Sequence, residues 1–286
     1  MNLCNIDEVK ALLGRHGFHF SKSMGQNFLI QSWVPQQIAD ASGADSDTGV
    51  LEIGPGIGPL TRELAARAGK VVSLELDRSL EPILAETLAD CPNAQVIFAD
   101  VTKTNCKELV EREFAGMKPM VCANLPYNIT TPVITQLLES RAFNRLTVMI
   151  QKEAAQRICA KPGTSNYCAF SLLCQYFAHC ELLFDVPRDC FLPAPKVTST
   201  VLQLTIGDTP TVSVENEALL LRVINASFAQ RRKTLQNGLS SAFSNQLSKE
   251  QIVTCIEEAG LPATIRGEKM GLKDFARLAD CINAKL

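Results

Sequence analysis

A chain of 286 residues with 46% hydrophobic and 20% charged side chains fits a folded globular protein of one large domain with an appendage, and general disorder is excluded. A formal net charge of −2 excludes capture of nucleic acid by bulk positive charge, so such a partner has to be met by local basic clusters. No long apolar run occurs, and Met1-Asn2-Leu3-Cys4-Asn5-Ile6-Asp7-Glu8 lacks the basic-then-apolar pattern of a leader, so the expected location is cytoplasmic, with no membrane contact.

Residues 1–30 stand apart. Ser23-Met24-Gly25-Gln26-Asn27-Phe28-Leu29 is a polar, glycine-containing stretch ahead of any strand, read either as a leader loop or as a flap that folds over a cofactor. From Val50 short apolar runs alternate with amphipathic stretches, the pattern of a parallel sheet with crossover helices. Strands are expected near 49–53, 71–76, 95–99, 119–123 and 146–150, with helices near 59–68, 79–89, 105–113 and 131–140. Gly54, Gly56 and Gly58 follow the first strand directly and open a helix, where backbone must approach a ligand closely. Glu75 ends the second strand, where a carboxylate can accept from both ribose hydroxyls of an adenosine ligand, and Asp100 ends the third, in reach of an adenine amine. Dinucleotide and S-adenosylmethionine sites share this geometry, but Pro59 stands where a dinucleotide motif wants its last glycine.

The fourth strand ends in Asn124-Leu125-Pro126-Tyr127, which turns the choice toward methyl transfer. The lone pair of an exocyclic base amine is delocalised into the ring, so the amine is a poor nucleophile. The Asn124 side-chain oxygen and a backbone carbonyl, assigned here to Pro126, can each accept one N–H and aim the lone pair. The Tyr127 ring can stack on a base drawn out of its helix.

After residue 150 the order changes, with helices near 151–159 and 167–177 and strands near 180–185 and 198–206 that pair antiparallel at one sheet edge. Gly207-Asp208-Thr209-Pro210 is the expected domain boundary. Beyond it Leu220, Val223, Ile224 and Phe228 share a helix face, and further helices are expected near 231–243, 248–259 and 272–283, with Ser248 and Gln251 forming a capping box. Basic clusters occur at Arg231-Arg232-Lys233 and among Arg141, Arg145, Lys152, Arg157 and Lys161. No C-x-x-C pair exists among eleven cysteines, and the chain has three histidines, so free thiols and no metal site are expected.

These motifs together resemble the bacterial ribosomal RNA adenine N6,N6-dimethyltransferase family, over about residue 20 to the C-terminus. The resemblance is carried by Lys22-Ser23-Met24-Gly25-Gln26-Asn27-Phe28-Leu29, by Glu52-Ile53-Gly54-Pro55-Gly56-Ile57-Gly58-Pro59-Leu60-Thr61 and by Asn124-Leu125-Pro126-Tyr127-Asn128-Ile129. Phe191-Leu192-Pro193-Ala194-Pro195-Lys196-Val197-Thr198-Ser199 and Phe228-Ala229-Gln230-Arg231-Arg232-Lys233-Thr234-Leu235 complete it. Met24 stands where leucine is expected, a conservative change. The resemblance implies a Rossmann-like, mostly parallel α/β sheet with an antiparallel edge, in three parts: an N-terminal flap 1–30, a catalytic domain 31–207 and a helical domain 208–286. It implies S-adenosylmethionine held by Gln26, Asn27, Leu29, Gly54, Gly56, Glu75, Asp100 and Asn124. Catalysis falls to Asn124, Pro126, Tyr127 and a second stacking ring, Phe191, and RNA contacts to Lys196, Arg231, Arg232 and Lys233. The implied substrate is a pair of adjacent adenosines near the 3′ end of 16S rRNA in a pre-30S particle, with a part in small-subunit biogenesis and with no DNA or metal involved. Two rivals remain: a 23S rRNA adenine methyltransferase of the macrolide-resistance type, and a ribosome-assembly factor that no longer methylates.

Overall fold

A computed structural model describes residues 1–20, 25–230 and 233–286. The chain runs α1 (Ile6–Arg15), β1 (Phe28–Leu29), α2 (Trp33–Ser42), β2 (Thr48–Ile53), α3 (Pro59–Ala65), β3 (Lys70–Glu75), α4 (Glu81–Thr87) and β4 (Ala94–Phe98). It continues α5 (Cys106–Glu113), β5 (Lys118–Asn124), α6 (Thr130–Ser140), β6 (Arg145–Gln151), α7 (Lys152–Ile158), α8 (Ala169–Phe177), β7 (Ala178–Val186), β8 (Phe191–Leu192) and β9 (Ser199–Ile206). Four more helices follow: α9 (Glu217–Ala229), α10 (Leu235–Ala242), α11 (Lys249–Glu258) and α12 (Leu272–Asn283).

Seven strands form one sheet in the order β4-β3-β2-β5-β6-β9-β7. β2 lies between β3 and β5, parallel to both, and the parallel pairing extends to β4 on one side and β6 on the other. Every residue of β2 is buried, Glu52 among them, as befits a central strand covered on both faces. The chain winds outward in opposite directions from β2 and β5, so the crevice at their carboxyl ends is the topological switch point of the sheet. β9 runs antiparallel to β6 from Arg145↔Thr205 to Gln151↔Ser199, and β7 is the edge strand beyond it. The antiparallel edge expected from the sequence is thus present.

Two compact units divide the chain: residues 1–155 with 180–206, and 156–179 with 207–286. In the first, α2 and α3 pack on the sheet through Val34, Ile38, Leu60 and Leu64, against Val50, Val71 and Met149. A second apolar cluster joins α1 (Val9, Leu12, Leu13) to α4 (Ile83, Leu84), Ile57 and Phe28. In the second unit Phe228 lies between Tyr167 and Phe275, at ring-centroid distances of 5.9 and 6.2 Å. Tyr176 donates to Glu217 at 2.8 Å, so α8 belongs with α9 although the turn at 207 separates them in sequence.

Several features differ from the sequence expectations. The N-terminal segment is more than a flap: α1 is a capped helix whose first-turn amides donate to the Asn5 side chain. α2 and the ribbon that pairs Phe28 with Leu192 and Leu29 with Phe191 were not anticipated. The helix expected near 231–243 begins, among the described residues, at Leu235, because Thr234 is extended at ψ 157°. The Ser248–Gln251 capping box is present, with bonds of 2.8 and 3.2 Å.

Candidate active site

The carboxyl ends of β2, β3, β4 and β5 meet at one cavity. Gly25 to Leu29, the Gly54–Gly56 turn, Glu75, Leu76, Asp100 and Asn124 to Ile129 all line it. The turn is tight because Gly54, Gly56 and Gly58 have φ of 69°, 60° and 90°, values that a side chain resists. A Cβ on Gly56 would lie 3.1 Å from the Phe28 ring, and one on Gly54 would lie 3.7 Å from Pro126. Bare backbone at Gly56 therefore makes room for the Phe28 ring of the N-terminal segment, while Pro126 of the Asn124 motif stands at ordinary contact distance from Gly54.

Glu75 is 7% exposed at the end of β3 and accepts the Asp77 amide at 2.8 Å. Burial raises its carboxyl above the ordinary range, against the amides of Asp77, Leu76 and Gly56. Leu76 beside it is 56% exposed into the same cavity, a large apolar surface left open. Asp100 follows β4. The Thr102 hydroxyl and amide bond one of its oxygens at 2.7 and 2.9 Å and hold its carboxyl below the usual range. Gln26 donates to Asp77 at 2.7 Å, a tie between the N-terminal segment and the end of β3. The Asn27 side chain donates to the Gly25 carbonyl at 3.0 Å, and Leu29 is buried in β1.

Asn124 ends β5 and donates from Nδ2 to the Asn27 carbonyl at 3.4 Å, which leaves Oδ1 without a donor among the described residues. The Pro126 carbonyl does not suit the role expected of it: the Ile129 amide at 3.2 Å and the Thr130 hydroxyl at 3.3 Å occupy its two acceptor positions. The carbonyl of cavity-lining Leu125 accepts no bond among the described residues and is the open acceptor of this turn. Backbone direction at a strand end is not written in residue identity, so only the structure distinguishes the two. Tyr127 is half-buried, and its hydroxyl lies 2.7 Å from Ser199 Oγ, with burial raising its pKa.

Phe191 is not brought to the cavity. It is 2% exposed in β8 and packs in the core with Leu29, Cys190 and Val201, so a stacking role would require its ring to leave that core. Lys196 is exposed and forms no ion pair among the described residues. Lys233 is exposed in the helical unit, whereas Arg231, Arg232 and Lys22 to Met24 lie outside the described residues. In the other basic cluster Arg145 donates to the Ser42 carbonyl at 3.0 Å and Lys152 pairs with Asp185.

Glu52, inside the glycine motif but given no task by the sequence reading, lines the cavity at 1% exposure. Its carboxyl is pushed up to about 7 by burial. Among the described residues no group of three or more His, Cys, Asp or Glu is placed to hold a metal ion, and no helix is long and apolar enough to cross a membrane.

The site suits S-adenosylmethionine by its donor set. Glu75 offers a buried acceptor for ribose hydroxyls, Asp100 an acceptor for the adenine amine, Leu76 an apolar face, and the glycine turn a surface free of side chains.

The model of the family described as ribosomal RNA adenine dimethylase matches residues 17–270. A ribosomal RNA small subunit methyltransferase A of Geobacillus thermodenitrificans strain NG80-2 is 45% identical over 277 residues, 96% of this chain and 94% of the relative. The crystal structure of a dimethyladenosine transferase from Plasmodium falciparum superposes with a TM-score of 0.76 at 26% identity, covering 90% of this chain and 98% of that one. That of the 23S rRNA methyltransferase ErmE gives 0.66 at 25% identity, covering 90% and 100%. With the glycine turn and the two acidic strand ends in register on such a sheet, and a family match over most of its length, the chain belongs to the ribosomal RNA adenine dimethylase family.

Proposed function

We propose that the protein methylates the N6 atoms of two adjacent adenosines, twice each, in the loop near the 3′ end of 16S rRNA within pre-30S particles. The observation that carries this reading is the Asn124 side chain, which stands at the cavity of the glycine turn with Oδ1 open while Nδ2 is fixed on Asn27. When bound, S-adenosylmethionine supplies an electrophilic methyl group. Gln26, Asn27, Leu29, Gly54, Gly56, Glu75 and Asp100 would hold it, and Leu76 would offer an apolar face to it.

In the first transfer Asn124 Oδ1 and the Leu125 carbonyl accept the two N–H bonds of the target amine and aim its lone pair into the cofactor cavity; in the second, the monomethylated amine has one N–H left, for one of the two acceptors. Both acceptors are neutral, so no full charge competes with the incoming nucleophile. The Tyr127 ring stacks on the extruded base, and its bond to Ser199 fixes the ring before the base arrives. As the N–C bond forms the S–C bond of the donor would break, with S-adenosylhomocysteine as the leaving group, and the spent amine proton leaves to solvent, so no strong base is required. Positioning of this kind is worth on the order of 7 to 11 kcal/mol. Exposed Lys196 and the Arg231-Arg232-Lys233 cluster are assigned to phosphates, which suits a chain of net charge −2 that has to capture RNA by local contacts.

Identity of 45% to a small-subunit relative against 25% to the 23S enzyme supports the choice of 16S rRNA. The test is extraction of both rRNAs from a strain lacking the gene, with dimethyladenosine mapped by primer extension. Loss from 16S rRNA is expected, and loss from 23S rRNA alone overturns the assignment.

A further inference from the structure

Glu52 has no part in the reaction described above, yet it is a buried carboxylate with one oxygen unspent. The Thr61 hydroxyl of α3 at 2.6 Å and the Ser73 hydroxyl of β3 at 2.7 Å both donate to Oε2. Among the described residues Oε1 receives no donor and no cation pairs with the group. Its ionisable neighbours do not help it: Glu75 of β3 adds like charge, and the Cys122 thiol of β5 is itself raised in part by the Glu52 charge. α3 contributes only the Thr61 hydroxyl, and the Gly54–Gly58 turn contributes no ionisable group. A carboxylate so placed is relieved either by a proton or by a cation that enters the cavity it lines.

We propose that Glu52 is the charge-compensating residue of the cofactor cavity, holding a proton while the cavity is empty and releasing it to solvent when a cationic ligand enters. The inference rests on the reading that S-adenosylmethionine, which carries a sulfonium and an ammonium group, is that ligand. With burial pushing the carboxyl up to about 7, the empty cavity holds the proton at pH 6 and has largely lost it at pH 8. A cation lowers that value, so affinity falls as pH drops below about 7 and levels off above it. One proton of linkage across this window makes binding about tenfold tighter at pH 8 than at pH 6.

Calorimetric titration of S-adenosylmethionine into the full-length protein, in pairs of buffers that differ in protonation enthalpy, counts the protons released. At pH 6 the wild type should release close to one proton more than Glu52→Gln, and the excess should vanish at pH 8. Glu52→Asp, which keeps a carboxyl, should keep the release and guards against a folding defect in the amide variant. The same proton count and the same pH slope in wild type and Glu52→Gln would overturn the proposal while leaving the cofactor reading intact. Failure of the wild type to bind S-adenosylmethionine at either pH would overturn both.

Discussion

At Asn124 Nδ2 holds the Asn27 carbonyl at 3.4 Å, and the proposed function gives the open Oδ1 to the target amine. A bond made chiefly in the transition state should show in turnover more than in cofactor affinity. Asn124→Ala is therefore expected to lower single-turnover methylation by roughly 100- to 1,000-fold, in line with loss of a preorganised polar contact. Calorimetry should find S-adenosylmethionine affinity within a few-fold of wild type, and an equal loss of both would place the residue among the cofactor contacts alone. Tyr127 separates ring from hydroxyl. Tyr127→Phe loses only the Ser199 bond of 2.7 Å, whereas Tyr127→Ala loses the stacking surface, worth about 1 to 3 kcal/mol per base. The alanine variant should drop in kcat/KM by roughly 5- to 150-fold on 30S particles, and the phenylalanine variant by well under the same amount. Residue identity made Asn124, Glu75 and Asp100 legible, because each is a polar side chain that ends an apolar run. It could not say which carbonyl of the Leu125-Pro126 turn is open. Nor could it foresee that Phe191 is enclosed, since its burial depends on pairing with Leu29, far away in sequence.

Among the elements, the central parallel strands β2, β3, β5 and β6 were readable because they are largely buried and carry short apolar runs between turn signals, whereas the outer β4 is only partly covered. The two first helices were not read. α1 does carry helix signals, the Asn5 cap and Val9, Leu12 and Leu13 at helical spacing, but they sit in a segment that reads as a leader or flap; α2 carries no side-chain cap and no acidic first turn. α1 shares a cluster with Phe28, whose ring meets the Gly56 turn, so the helix supports the cofactor site from behind. Leu12→Ala, at a position with no exposure, should cost about 2 to 5 kcal/mol in urea unfolding and weaken S-adenosylmethionine binding as well. A loss of stability with unchanged affinity would show that α1 does not support the cavity. Gly56→Ala acts at the other end of that contact. A φ of 60° costs a side chain about 1 to 2 kcal/mol, and the added carbon meets the Phe28 ring at 3.1 Å. Calorimetry should then show cofactor affinity at least tenfold weaker, and wild-type affinity would mean that the turn has room to spare.

At the scale of the molecule, a compact α/β unit carries the cavity and a second, helical unit carries Lys233. Folding itself is linked to Glu52. Burial raises its folded pKa from the ordinary carboxylate range to about 7, so the fold favours the neutral form. The stability it allows is fully present below the unfolded value and is lost as pH rises through about 7. In the absence of cofactor, Glu52→Gln should gain on wild type by about 3 kcal/mol between pH 5 and pH 8 in urea unfolding, whereas parallel pH profiles would place the carboxyl in the ordinary range. The most direct measurement of the whole account is incubation of the protein with methyl-labelled S-adenosylmethionine and unmodified 30S particles, with 50S particles as control, followed by mapping of the labelled bases. The account predicts label on two adjacent adenosines near the 3′ end of 16S rRNA and none in 50S particles. Label confined to 23S rRNA, or binding to 30S particles with no transfer, would contradict it.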